Sequence, residues 1–128
     1  MNRLKIAALT AAALCGAGLL ATTSFAHGSM KPMHGGKVQM SGETLFEIVK
    51  GPKGVDVYIS EEDEPLPAKD FTGKLIVTAG TQKTTSPLAV TGANKFSVAG
   101  LKPAAGAKVV VSLVETASGT KTFATFTL

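Results

Sequence analysis

The chain has 128 residues and a formal charge of +4, with 13 Lys and Arg against 9 Asp and Glu, one cysteine, one tyrosine and no tryptophan. That length predicts one small domain, and a single cysteine excludes a disulfide framework. Lysines scattered at so small a net charge exclude a nucleic-acid footprint.

Residues 1–26 read as a secretory signal peptide. Arg3 and Lys5 form a basic start, Ile6 to Ala21 an Ala/Leu-rich apolar run, and Ser24-Phe25-Ala26 places small residues at the −3 and −1 positions of a cleavage site. Thr10, Gly16 and Gly18 interrupt the apolar run and no basic stop-transfer cluster follows. Cleavage after Ala26 is therefore expected, giving a periplasmic chain that keeps no membrane anchor. Loss of Arg3 and Lys5 lowers the formal charge from +4 to +2. Cys15 lies in the removed run. Lipoprotein processing there would want a small residue before the cysteine, and Leu14 is not one. The mature domain must then fold on packing alone, which a chain of roughly 100 residues can do without much excess.

Residues 27–36, His-Gly-Ser-Met-Lys-Pro-Met-His-Gly-Gly, form a tail. It holds both histidines and two of the three methionines that follow the initiator. Lys31 precedes Pro32, which biases it to extended conformations, and Gly35-Gly36 allows a free bend before the first strand.

From Lys37 to Leu128 no helical period of useful length occurs. Short β-rich runs alternate with Gly, Pro, Asn and Ser punctuation, the pattern of an all-β sandwich or barrel. Lys37–Met40 predicts a first strand with Val38 and Met40 on one face. Glu43–Lys50 predicts a second, with Phe46 and Ile48 inward. Gly51–Gly54 is a turn. Val55–Ser60 has the clearest period of two, with Val55, Val57 and Ile59 on one side. The acidic, proline-bearing stretch Glu61–Pro67 predicts a solvated loop, and its spacing matches no calcium loop. Gly73 predicts a bend before a strand at Lys74–Ala79, and Thr81–Ser86 an edge strand or a free tract. Ser86–Val90 and Lys95–Ala99 predict a hairpin through Thr91–Asn94. Ala107–Glu115 and Lys121–Leu128 predict another, with Val109, Val111 and Leu113 sharing a face, as do Ala124, Phe126 and Leu128. Short turns favour antiparallel pairing. The expected fold is an all-β, immunoglobulin-like antiparallel sandwich of about seven to eight strands.

Nucleophilic catalysis is hard to assemble from these residues, because the mature chain has no cysteine and its two histidines lie in the tail beside glycines. No enzyme activity is expected. Two histidines and two methionines within eight residues are a different matter, being a soft-to-borderline ligand set suited to copper. Cleavage before His27 would add a free α-amine, and the amine with the ring Nδ1 can chelate Cu(II). His27 and His34 are therefore the expected Cu(II) ligands. Met30, Met33 and Met40 are expected to complete a Cu(I) site, Met40 being also a natural core filler.

The segments His27-Gly28, Pro32-Met33-His34-Gly35-Gly36, Val57-Tyr58, Gly106–Val111 and Thr125–Leu128, with Val38 and Glu47, resemble a group of small exported bacterial proteins. Their mature chains start with a His-Gly…His-Gly-Gly segment, and similar segments accompany heavy-metal efflux components. The resemblance implies a periplasmic β-sandwich, metal handling as in heavy-metal resistance, and a metal-efflux component as partner. His27 also matches the first position of CopC-type periplasmic copper carriers, whose further histidine and acidic ligands have no counterpart here. Histidine-brace oxygenases share that first residue, but this chain lacks the aromatic surface such enzymes use. The functional expectation is a copper carrier, buffer or delivery protein. The alternative is a metal-free interaction module that docks on a partner through a sheet edge.

Overall fold

The computed structural model describes residues 29–128. The expected signal peptide, its cleavage site and His27 lie outside the described residues. Ten strands follow in order: β1 (Lys37–Ser41), β2 (Thr44–Gly51), β3 (Gly54–Glu61), β4 (Glu64–Pro65), β5 (Phe71–Ala79), β6 (Gln82–Pro87), β7 (Ala89–Val90), β8 (Lys95–Ala99), β9 (Lys108–Glu115) and β10 (Lys121–Thr127). A single 3₁₀ turn, Ala68–Asp70, precedes β5.

The strands form two antiparallel sheets. One runs β1-β2-β3-β8-β7 with β4 paired to β3, and the other runs β10-β9-β5-β6. Within the first, β2-β3-β8-β7 has the A-B-E-D order of an immunoglobulin-like sandwich. The second has the order G-F-C with β6 added beside C. The expected fold is thus the observed one. The two-residue β4 falls where no strand was expected, and the two-residue β7 is the part of the expected Ser86–Val90 strand that forms the expected hairpin with β8.

Alternation fixes what lies between the sheets. Phe46 and Ile48 from β2, Val55, Val57 and Ile59 from β3, and Phe96 from β8 are at most 2% exposed. They meet Leu75, Val109, Val111, Leu113 and Phe126 from the second sheet. Each side chain of Phe or Leu size buried this way contributes roughly 1.5–3 kcal/mol, so period-two patterning accounts for both the register and the interior.

Two local expectations are corrected. Gly73 makes no bend, since β5 runs straight through it. A Cβ there would overlap the Ser112 carbonyl oxygen and stand 2.6 Å from Leu113 Cδ2, so the glycine serves close strand approach rather than a turn. Ser86–Val90 is not one strand. Ser86 and Pro87 end β6 in the second sheet, whereas Ala89 and Val90 pair with β8 in the first. Leu88 makes the crossing, its N–H donating to the Gly73 carbonyl at 3.0 Å.

Candidate functional site

Because Phe46, Ile48, Val57 and Ile59 face inward, Glu47 and Tyr58 face outward, and the register sets them directly opposite each other. An acid on the outer face of an antiparallel sheet is ordinarily solvated. Glu47 is only 4% exposed, because the tail folds over it. Its carboxylate accepts four hydrogen bonds. His34 N–H and Gly36 N–H donate to Oε1 at 2.8 and 3.0 Å, and Met33 N–H and the His34 ring Nδ1 donate to Oε2 at 3.0 and 2.9 Å.

The sequence folds this way for a steric reason. Backbone N–H groups that converge on one anion require a sharp local reversal, and Gly35 supplies it with φ of 74°. Gly36 then lies so close to β2 that a Cβ would overlap the Ile48 carbonyl oxygen and stand 2.8 Å from Val49 Cγ2. Burial alone would raise the Glu47 carboxyl. The hydrogen bonds from Gly36, the His34 ring, the His34 N–H and the Met33 N–H outweigh it and hold the group below the usual carboxylate range.

The same contacts set the state of His34. An ionised carboxylate only accepts, so Nδ1 carries the proton. In the neutral ring the lone pair is left on Nε2, and a carboxylate behind the imidazole is the usual support of a metal-binding histidine. The ring lies flat on Tyr58, with centroids 3.5 Å apart and planes 6° from parallel. His34 is thus a structural residue on two of its sides and a potential donor on the third.

A second carboxylate pins the other end of the tail. Glu62 and Asp63 form a two-residue turn with φ of 49° and 67° between the paired Glu61 and Glu64, as tight hairpins require. The turn carries Asp63 to the Ser29 N–H, which donates to Oδ1 at 2.8 Å. The acidic stretch is exposed, as expected, but it is a hairpin that holds the tail rather than a free loop. Between the two anchors, Met30 and Met33 are 51% and 69% exposed. Met33, His34, Tyr58 and Asp63 line a cleft of about 130 Å³ with Leu45, Glu47, Ser60, Pro65 and Asn94.

Met40 is half-buried on β1 directly opposite Leu45, and Val38 lies opposite Glu47. Both therefore occupy the outer face that carries the cleft, not the interior. Of the expected ligands, Met33 and His34 share the cleft, Met40 shares its face, and Met30 lies exposed on the strap above. Among the described residues, no three His, Cys, Asp or Glu side chains form a group that could hold a metal ion. A metal here would draw on thioethers and on the chain upstream of Ser29.

Comparison with protein-family models, curated proteins and solved structures gave no match. The functional reading therefore rests on this geometry and on the sequence.

Sequence reasoning did not single out Glu47, Tyr58 or Asp63 for the site. For Glu47 a signal existed. It stands between Leu45-Phe46 and Ile48-Val49, and a lone acid inside an apolar strand needs donors brought to it. The three backbone donors, Met33, His34 and Gly36, came from the segment eleven to fourteen residues earlier.

Proposed function

We propose that this chain is an exported metal-binding protein that carries, buffers or delivers copper in the periplasm, with the ion held over the outer face of the six-stranded sheet. One observation carries the reading: Glu47 holds His34 with Nδ1 protonated, which leaves the lone pair of the neutral ring on Nε2, and His34 and Met33 line one cleft. Thioether and imidazole together suit copper in both oxidation states. Asp63 supports the same reading. It holds Ser29, two residues after His27, so a terminus created by cleavage at Ala26 would lie within about 7 Å of Ser29. His27 would supply amine and imidazole, His34 the second imidazole, and Met30, Met33 and Met40 the softer donors for Cu(I). Binding, not catalysis, is the proposed activity, with a metal-efflux component as recipient.

The test uses the only tyrosine of a tryptophan-free chain. Tyr58 stacks on the proposed ligand, so Cu(II) bound at His34 should quench its fluorescence. Correctly processed protein should be titrated with Cu(II) and Cu(I) beside His34→Ala and beside protein carrying an extra methionine before His27. Each change should weaken Cu(II) binding at least about tenfold. Equal, weak uptake by all three would overturn the proposal.

The alternative, a metal-free module docking through a sheet edge, has β6 as its candidate edge. Lys83 within β6 and Pro87 at its end are features that blunt edges against strand addition, which favours the metal reading.

A further inference from the structure

The two ends of the sandwich carry opposite charge. Register places Lys37 at the start of β1, Lys83 at the start of β6 and Lys108 at the start of β9 at one end. The β2–β3 turn, with Lys50 and Lys53, lies at that end too. The loop bearing Lys102 joins it there, since Gly100 N–H donates to the Lys53 carbonyl at 2.8 Å. The sheets are tied at this end by Lys37 Nζ, which donates to the Thr127 carbonyl at 2.6 Å. All six lysines are exposed, and among the described residues none forms an ion pair. Asp56, opposite Val49 and one register step from Lys50, is the one Asp or Glu among the described residues near this end, and its carboxylate accepts from Ser97 Oγ. The hairpin Glu61–Glu64, with Glu43, Asp70 and Glu115, lies at the opposite end. Of the two remaining acids, Glu47 sits mid-sheet and Asp56 nearer the lysine end.

We infer that the six-lysine end is an electrostatic docking surface for an anionic phospholipid bilayer, which holds the sandwich upright with its acidic end away from the membrane. Two features choose lipid over a protein partner. Of the large exposed apolar side chains, Met30, Met33 and Phe123 lie away from this end, and Val90 lies on the side edge of the sheet in the register row of Lys37, so the end itself has no apolar centre of the kind protein interfaces are built on. The basic residues are also all lysine, the only arginine being Arg3. Lysine is depleted from protein interfaces, whereas its mobile point charge suits a diffuse layer of headgroups. Head-to-tail contact with a second copy would match the charges but would leave an open-ended chain of molecules. The inference concerns surface attachment, a different physical state from a spanning anchor. It stands apart from the metal reading, whose cleft lies on the sheet face and stays open when this end is down.

The test is co-sedimentation of processed protein with vesicles of phosphatidylglycerol in phosphatidylcholine, against vesicles of phosphatidylcholine alone. Each lysine near an anionic surface strengthens binding about fivefold. The double reversal Lys83→Glu/Lys108→Glu should therefore weaken binding to the anionic vesicles at least about 25-fold. The reversal Lys69→Glu/Lys121→Glu, at the acidic end, changes net charge equally and should have little effect. Wild-type protein should release at 1 M salt, where the screening length falls to about 3 Å, a readout that needs no variant. The inference is overturned by equal binding to both vesicle types, by equal loss in the two double variants, or by lipid-free self-association that the Lys83/Lys108 reversal abolishes.

Discussion

Replacing Glu47 by Gln tests the latch most sharply, because the side chain keeps its shape and loses its charge. Four donors converge on the native carboxylate. A glutamine oxygen in the Oε1 position keeps the His34 and Gly36 N–H groups, but its NH₂ then faces the Met33 N–H and the His34 ring. Hydrogen bonds to charged groups are worth about 1.5–3 kcal/mol each. The Met33 bond is lost outright, so its amide should exchange roughly 10–100-fold faster. The ring has an alternative. By moving its proton to Nε2 it can accept from the NH₂ through Nδ1, and the stack on Tyr58 survives. Glu47→Gln is therefore expected to reverse the His34 tautomer, readable as exchanged ¹⁵N shifts of the two ring nitrogens, and to weaken copper binding through the loss of an open Nε2. The sandwich itself should melt nearly unchanged, since the tail can detach and let water satisfy its donors. Unaltered Met33 exchange together with an unaltered tautomer would refute the latch.

Three further outcomes follow from the same geometry. Gly36→Ala should release the tail without unfolding the domain, because a Cβ meets β2 backbone that cannot yield; Tyr58 fluorescence should change while the urea midpoint moves little. Phe96→Ala should destabilise the fold by about 3–5 kcal/mol in urea unfolding, since Phe96 is 0% exposed, whereas Phe123→Ala, at a side chain 53% exposed, should change stability by about 0.5 kcal/mol or less. The tail should also detach in acid. Glu47 is held below its ordinary value of 4.5 when folded, so its contribution is complete above about that pH and is lost as pH falls through the lowered value. Glu61 works in the opposite direction: its partial desolvation and the neighbouring Glu43, Glu62 and Glu115 raise it, so its contribution favours the folded state at low pH and fades as pH rises. An acid change in Tyr58 fluorescence that persists in Glu47→Gln would assign the transition to another group.

The interior is legible because a strand writes it in alternate letters. Val55, Val57 and Ile59 face the core as the pattern predicts, and on β2 the inward pair is Phe46 and Ile48, as expected, rather than Leu45, Glu47 and Val49. Gly73 misleads because a glycine needed for close approach looks the same in sequence as one needed for a bend. The Ser86–Val90 run misleads because a change of sheet at Leu88 leaves the β propensity unbroken. In the site, composition points to His34 and Met33 but not to what holds them. Glu47 and Asp63 contribute through contacts across 13 and 34 residues of sequence, and no local period reports such distances.

The placement of the tail has a consequence for how the molecule works. Residues 29–36 lie on the outside of the six-stranded sheet, pinned at Ser29 by one carboxylate and at Met33 to Gly36 by another, while the apolar interior is complete without them. Docking of the strap and folding of the sandwich are therefore separate equilibria, and the first is the weaker of the two because it rests on a few hydrogen bonds and one ring stack. A site assembled on such a strap can open by detaching at one anchor while the scaffold stays folded. An ion held between the strap and the sheet would stabilise the docked form by mass action, and a recipient that competes for the strap would loosen it. Loading and release then need no rearrangement of the sandwich, which suits a carrier that must bind its cargo and still give it up.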